Sequence, residues 1–378
     1  MKIAIFGGSF DPVHAEHINI ARAAEKFGAE KIIAVPAAVP PHKREKTMAS
    51  PQDRLQMAKL AFAAVKNCEV SSFELSAGGT SYTCRTVEYF RKKYPEDELY
   101  LLVGADMLKD FYTWKDPEKI LACADLLVCN REGDRVNFRA EQFRFFAKFK
   151  KTFKTVEYVG RDVSSTKARV LCAFGEDLKP YLPQDVIDYI EANELYRVEH
   201  VKDALRLLTP ARRKHSLRVA LMAAGASARY KVPETSAILA SALHDAAKKL
   251  PLSAAELSGF VPPESVPDPV MHQYSGAYLA ENMFGVRDED VLNAIRYHTS
   301  GRPNMSTLEK LIFLSDMLEQ GRDFPGVEKL RGLFYEDLNA CMYKSLKLEL
   351  KHLKKQRGEI YPLTCRAYEY YKSLAKRG

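Results

Sequence analysis

The chain of 378 residues contains no apolar run that approaches the ~20 residues of a membrane-spanning helix. A membrane is therefore excluded from its expected partners. Its first residues hold one lysine and then a short strand-like run, without the layout of a secretory signal. Seven cysteines (68, 84, 123, 129, 172, 341, 365) are scattered and form no C-x-x-C pair, which suits a reducing cytoplasm better than a disulfide framework. There is one tryptophan, no internal repeat and no low-complexity tract. Despite a net charge of +8 there is no dense basic arm, zinc finger or RNP-like aromatic motif, so nucleic acid is not an expected partner. The modest excess of positive charge suits an enzyme that handles polyphosphates. The most basic stretch, ARRKHSLR (211–218), reads by default as a solvated helix face.

What is present is an ordinary globular balance, 46% hydrophobic and 28% charged, over a length that suits two domains. The first half alternates. Strand-like runs occur at KIAIFGG, KIIAVP, CEVSSFEL, ELYLLVGAD, ADLLVCNR and TVEYVG, with helix-like stretches at 14–27, 51–66, 82–94, 116–123 and about 139–150. This predicts βαβ units around a parallel sheet, which binds ligands beyond the carboxyl ends of its strands. Segment 185–200 reads as a last helix running into a connector. Beyond residue 197 the extended runs largely vanish. VKDALRLL, PARRKHSLRVALMAAGASARY, PETSAILASALHDAAKKL, PVMHQYSGAYLAENMF, EDVLNAIRYH, STLEKLIFLSDMLEQ and a long stretch over 325–356 all carry helical spacing. The expected organisation is an α/β Rossmann-like domain over 1–197 and an all-α helical bundle over 198–378. A homo-oligomer is compatible with this sequence.

The first strand runs into GGSFDPVHAEH (7–17). Small residues leaving a strand let backbone N–H groups approach an anion. Asp11-Pro12 offers a cap and a favoured first helical position, so the following helix begins near His14 with its positive end forward. His14 and His17, three apart, share a face and could donate to phosphate oxygens as charge builds up. Further along, PPHK (40–43) adds His42 and Lys43, and SYT (81–83) precedes a helix. GAD (104–106) ends a strand ahead of Trp114, and SSTKAR (164–169) gives another cap and helix start carrying Arg169.

In order and spacing these residues resemble the bacterial nicotinate-nucleotide adenylyltransferases, part of a superfamily whose histidine pair is written H-x-G-H. The likeness spans about residues 1–195. It implies that the phosphate of nicotinate mononucleotide attacks the α-phosphorus of ATP, with Mg²⁺ bridging phosphate oxygens, to give deamido-NAD and pyrophosphate. By that resemblance Gly7, Gly8, Ser9 and Phe10 line the nucleotide cleft, and His14 and His17 bind the reacting phosphates. Lys43 and Arg169 counter the triphosphate charge, with His42 nearby and Ser165 and Thr166 at the helix start. Tyr82 and Thr83 meet the pyridine carboxylate, Trp114 stacks on the ring, and Gly104 and Asp106 approach the ribose. Two letters depart from the pattern: Glu16 replaces the glycine of H-x-G-H, and Arg85 stands where aspartate is common after SYT. Glu16 falls off the face that the histidines share, so Glu16→Gly is expected to retain transferase activity. A pantetheine or other nucleotidyltransferase is the competing reading, which Trp114 and SYT disfavour.

The second half holds an ordered series: His215, His244-Asp245, His272, His298 and Asp316. Imidazole and carboxylate suit Fe, Mn or Zn, and separate helices of a bundle can converge such groups on a core. An aspartate in the apolar context ASALHDAAKKL costs stability unless it is paired or metal-bound. The series resembles the HD-domain phosphohydrolases. LHDAAK and YHTSGRPNMSTLEKLIFLSDMLEQGRDFPGV resemble in particular the small bacterial HD proteins that cleave diadenosine tetraphosphate into two ADP. That resemblance implies a dinuclear centre, iron before manganese, with Asp245 between the ions and Lys248 on the polyphosphate. Arg302 and Arg322 are candidates for phosphate or capping roles, with a surface salt bridge as an equal alternative. Alternatives are a nucleotidase acting on mononucleotides and a non-catalytic nucleotide sensor. The two halves together read as a cytoplasmic bifunctional enzyme.

Overall fold

The computed structural model describes residues 1–39, 49–133 and 136–375. These divide into two compact units, one of 1–169 with 177–196, the other of 170–176 with 197–378. The first is an α/β unit. Its strands are β1 (Lys2–Gly8), β2 (Lys31–Pro36), β3 (Cys68–Val70), β4 (Glu98–Gly104), β5 (Asp125–Arg131) and β6 (Lys154–Tyr158). All neighbours pair in parallel, in the order β3-β2-β1-β4-β5-β6. Ile3, Ala4, Ile5 and Phe6 are all buried, as expected of a parallel strand covered on both faces. The helices are α1 (Ala15–Phe27), α2 (Pro51–Phe62), α3 (Phe73–Ala77), α4 (Thr83–Lys93), α5 (Met107–Phe111), α6 (Pro117–Cys123), α7 (Phe138–Phe149), α8 (Ser165–Phe174) and α9 (Gln184–Ala192). The strand order reverses between β1 and β4, so the loops after these two strands flank the crevice where doubly wound sheets take their ligands.

The second unit is helical. Its helices are α10 (Val201–Arg206), α11 (Pro210–Tyr230), α12 (Glu234–Leu243), α13 (Asp268–Asn282), α14 (Glu289–Arg296), α15 (Thr307–Leu318), α16 (Val327–Glu336), α17 (Leu338–Lys355) and α18 (Pro362–Ala375). Thr209 accepts from the Arg212 N–H and Pro210 occupies the first turn, which fixes where α11 begins. Ala223, Leu243, Leu279, Ile295, Leu311 and Leu314 belong to one buried cluster that joins α11 to α15. No helix among the described residues is long and apolar enough to cross a membrane.

Several expectations need correction. Asp11 is no helix cap and Pro12 no first-turn residue, because α1 starts at Ala15 with His14 as its N-cap. CEVSSFEL is a strand only over its first three residues, and Phe73 opens a short helix. The helix through ASALHDAAKKL stops at Leu243. Beyond it the hydrogen bonds contract to three-residue turns, Ala246 N–H to Leu243 O and Lys248 N–H to Asp245 O, each 3.0 Å. The 325–356 stretch is two helices, broken at Asp337, whose carboxylate accepts from the N–H groups of Asn339 and Ala340. Helix α18 was not anticipated from the sequence.

Candidate functional site

The loop leaving β1 is tight. A Cβ on Gly8 would meet the Phe10 ring at 2.8 Å, so only glycine lets that ring fold under the strand end. Phe10 is fully buried against Phe6, Phe62 and, edge-on at 5.0 Å, His17. It therefore backs the loop from beneath rather than lining a cleft, which corrects the role expected for it. Gly7 continues the strand opposite Val35, and Ser9 presents its carbonyl to a buried guanidinium, Arg54. His14 and His17 stack with centroids 3.8 Å apart, and the His14 N–H donates to His17 Nδ1 at 3.2 Å. Nδ1 of His14 is buried without a hydrogen-bond partner. Burial, then the neighbouring Arg169 charge, lowers the His14 imidazole to about 3.

Arg169 reaches this loop from α8. It is buried, donates to the Asp11 carbonyl and to Thr166 Oγ1 (3.0 Å), and lies 3.9 Å from the Asp11 carboxylate. Ser165 Oγ donates to the Pro12 carbonyl at 3.1 Å. So His14, His17, Ser165, Thr166 and Arg169 come together from two segments more than a hundred residues apart in sequence, with a helix N-terminus among them. The Asp11 carboxylate also accepts from Tyr196 at 2.7 Å. Arg54 donates to the carbonyls of Ser9, Ala37 and Ala38 and so joins the loops after β1 and β2. Neither Asp11 nor Arg54 was foreseen in these roles. A basic residue in the buried stripe of a helix is the signal that could have found Arg54.

His42 and Lys43 lie outside the described residues. Ser81 Oγ accepts from the N–H groups of Ala38 and Val39. That contact holds the SYT segment beside the exit of β2. Tyr82 is the N-cap residue of α4, Thr83 follows it, and Lys115 sits 4.2 Å over the Tyr82 ring. Arg85 is exposed on that first turn. Gly104 ends β4, and a Cβ there would clash with the Asp106 carboxylate, which therefore leans over the strand end. Asp106 is exposed and makes no capping bond to α5. Trp114 is partly buried against Phe111, 5.3 Å between rings, with its Nε1 unpartnered.

The helical unit converges the second series. His215 comes from α11, His244 and Asp245 from the turn after α12, His272 from α13, His298 from the turn after α14 and Asp316 from α15. His215, His244 and Asp245 form one group of buried donor atoms, and Asp245, His272 and His298 form another, with Asp245 common to both. Asp245 Oδ1 lies 3.5 Å from His272 Nε2 and 3.6 Å from His298 Nε2, and Oδ2 lies 3.6 Å from His244 Nε2. His215 Nε2 is 2.9 Å from Asp316 Oδ1. The outward nitrogens are fixed: Nδ1 of His215 by Glu319 (3.2 Å), of His244 by Ser241 O (2.7 Å), of His298 by Ile295 O (2.8 Å). That pattern turns each Nε2 inward, as in metal sites.

Burial, then the His298 and Lys248 charges, lowers His272 to about 2, and burial lowers His244 to about 4. Burial pushes the Asp245 carboxyl up, but His244, His298 and Lys248 outweigh it and hold it below the usual range. Asp316 is likewise held low, burial being outweighed by His215 and His244. Neutral imidazoles and ionised carboxylates are the metal-binding forms. Nε2 of His244 is buried without a hydrogen bond, while His215 Nε2 faces Asp316 and Asp245 Oδ1 faces Lys248, His272 and His298. The donor set thus fits one or two divalent ions, and it would be costly to bury without them.

Cations surround the cluster. Arg212 is 2.5 Å from Asp245 Oδ2, and Lys248 is 3.1 Å from Oδ1. Arg322 donates to Asp316 at 2.9 Å. Arg218 pairs with Glu319 at 3.3 Å. The stretch 211–218 is therefore not merely a solvated face, since Arg212, His215 and Arg218 all turn inward. Of the two readings open for Arg302, the structure shows the salt bridge: its guanidinium bonds of 2.6 and 2.7 Å go to the buried Glu309. Beside the cluster opens a cavity of about 580 Å³, lined by His298 and Asp316 of the cluster and by Phe313, Phe324, His352 and Lys355 among others.

The cytidylyltransferase-like family matches residues 5–170, and the HD domain matches residues 212–321. The probable nicotinate-nucleotide adenylyltransferase/Ap4A hydrolase of Mycoplasma genitalium is 33% identical over 331 residues, 85% of this chain and 88% of that protein. Its counterpart in Mycoplasma pneumoniae is 32% identical over 328 residues, 84% and 88%. The probable nicotinate-nucleotide adenylyltransferase of Clostridium tetani is 38% identical over 200 residues, 52% of this chain and 99% of that protein. The chain belongs to the family of two-part proteins, typified by those of the mycoplasmas, that join a cytidylyltransferase-like module to an HD domain.

Proposed function

We propose that the chain is a bifunctional cytoplasmic enzyme. Its residues 1–197 transfer the adenylyl group of ATP to nicotinate mononucleotide, and its residues 198–378 hydrolyse diadenosine tetraphosphate to two ADP. The observation that carries the proposal is the coincidence of family likeness over 85% of the chain with a histidine–arginine cluster at the start of α1 and α8 and a buried His/Asp donor set in the helical unit.

In the first reaction a phosphate oxygen of nicotinate mononucleotide bonds to the α-phosphorus of ATP. The bond from that phosphorus to the bridging oxygen breaks, and pyrophosphate leaves. Negative charge grows on the non-bridging oxygens and on the leaving group. His14 and His17 donate to those oxygens, and an arriving phosphate offsets the burial and the Arg169 charge that keep the His14 imidazole neutral. Arg169 and the amides at the start of α8, with Ser165 and Thr166, hold the leaving phosphates. Mg²⁺ carried in with ATP would neutralise part of the charge. Trp114 offers a face for the pyridine ring.

In the second unit His215, His244, Asp245, His272, His298 and Asp316 would hold two ions, iron or manganese. Bound ions would supply Lewis-acid stabilisation to the scissile phosphate and acidify water at the site. Lys248, Arg212 and Arg322 meet the remaining phosphate oxygens. The adjoining cavity, lined by Phe313, Phe324 and Leu348 together with Glu349, Lys351, His352 and Lys355, suits one nucleoside-phosphate half of the substrate.

The test is elemental analysis of the full chain purified without chelator, coupled to product chromatography. Deamido-NAD from ATP and nicotinate mononucleotide, ADP alone from diadenosine tetraphosphate, and near two equivalents of iron or manganese are expected. AMP with ATP as the hydrolysis products, or release of phosphate from mononucleotides instead, would contradict the hydrolase half.

A further inference from the structure

Glu16 is the letter that departs from the H-x-G-H pattern, and its side chain is buried at the first turn of α1, bonded to the chain that leaves β6. One carboxylate oxygen accepts from the Tyr158 hydroxyl at 2.7 Å, and the other accepts from the Arg161 backbone N–H. Three residues on, Asn19 donates to the Val159 carbonyl at 3.3 Å. Residues 16 and 19 are neighbours on one helical face, so α1 grips the chain where it leaves β6. Burial, then the Glu16 carboxylate, pushes the Tyr158 phenol well above its ordinary range, which keeps it a donor. The chain passes close at this point, since a Cβ on Gly160 would run into the Arg131 side chain and come to 3.0 Å from the Glu16 carboxylate.

The gripped segment leads directly into α8, where Ser165, Thr166 and Arg169 stand. Further bonds join the same two parts of the chain, Ser165 to Pro12 and Arg169 to Asp11. Those contacts are made by groups that must also face the triphosphate. Glu16 is buried and spends both carboxylate oxygens on the β6 exit, so it ties the two parts without using a group expected to meet the triphosphate.

We propose that Glu16 is a positioning residue of the transferase, a strut that sets the distance between the histidine-bearing first turn of α1 and the anion-binding start of α8. The inference rests on the transferase reading and adds to it how the ATP-binding half of the site is held. A glycine at this position would leave the Tyr158 hydroxyl and the Arg161 N–H without these partners. The expectation from sequence that Glu16→Gly is harmless is therefore replaced by its opposite.

The experiment is steady-state kinetics of the full chain and of its Glu16→Gln, Glu16→Ala and Tyr158→Phe variants, with ATP and nicotinate mononucleotide varied separately. Misplacing a binding group by a fraction of an ångström costs on the order of tenfold or more. Glu16→Ala should raise KM for ATP about tenfold while KM for nicotinate mononucleotide stays within about twofold. Glu16→Gln, which keeps one acceptor, should recover most of the loss, and Glu16→Ala combined with Tyr158→Phe should be less than additive. Unchanged KM for ATP in Glu16→Ala, or an equal rise for both substrates that follows loss of thermal stability, would overturn the inference while leaving the transferase reading intact. A wild-type chain that makes no deamido-NAD would overturn both.

Discussion

His14 shows how burial sets a charge state ahead of the substrate. Its imidazole titrates near 3 rather than 6.5, because burial and then Arg169 disfavour the imidazolium. Below pH 6.5 the unfolded chain binds a proton that the ligand-free fold refuses. The stabilisation this represents is complete above pH 6.5 and is lost as pH falls toward 3. Trp114, the single tryptophan, lies in the same unit and reports its unfolding. Its fluorescence during denaturation should show midpoints that fall between about pH 6 and pH 4, with a shallower fall in His14→Ala. An identical slope in the variant would mean that His14 titrates normally. Trp114→Ala should raise KM for nicotinate mononucleotide by about tenfold or more, the size of a lost ring–ring stack; an unchanged KM would leave Trp114 as a packing residue only. At this scale the His/Asp series was legible because histidines and aspartates within apolar helical runs demand partners. Asp11, Arg54 and Glu319 were not, because what makes each useful is a partner from a distant part of the chain. The two bonds of Glu16 to the β6 exit have no trace in local sequence.

At the scale of elements, periodicity located the strands and most of the helices, and α11 runs over the stretch whose caps and spacing mark it. It failed where a side chain's tertiary duty outweighs helical spacing. The HD pair sits just past the last turn of α12. A regular helix through ASALHDAAKKL is replaced there by tight turns, and these leave His244 and Asp245 both aimed into the cluster. Asp337 interrupts a pattern that otherwise continues, by capping the next helix with its own carboxylate. Asp337→Ala should cost about 1 kcal/mol of stability, read by thermal or urea denaturation; no change would show the cap to be dispensable. Helix α11 carries a second prediction. Arg212, on the turn before His215, holds the shared aspartate. Arg212→Ala should lower kcat/KM for diadenosine tetraphosphate about 10- to 100-fold and leave adenylyl transfer at the wild-type rate. Equal loss in both reactions would point to misfolding rather than to chemistry.

For the whole molecule, the account holds that one chain carries two reactions with separate machinery. The first site gathers at the strand-order reversal of a parallel sheet, the second at the core of a helical bundle. The order of the motifs made both fold classes readable, whereas the backing role of Phe10 could emerge only from packing. The most direct measurement is product chromatography on the full chain and two variants, His17→Ala and Asp245→Asn, each given ATP with nicotinate mononucleotide and, separately, diadenosine tetraphosphate. His17→Ala should lose deamido-NAD formation by about 100-fold or more and keep ADP formation. Asp245→Asn should do the reverse, with its metal content falling. Loss of both reactions in either variant, or deamido-NAD formation that survives in His17→Ala, would contradict the assignment of one reaction to each cluster.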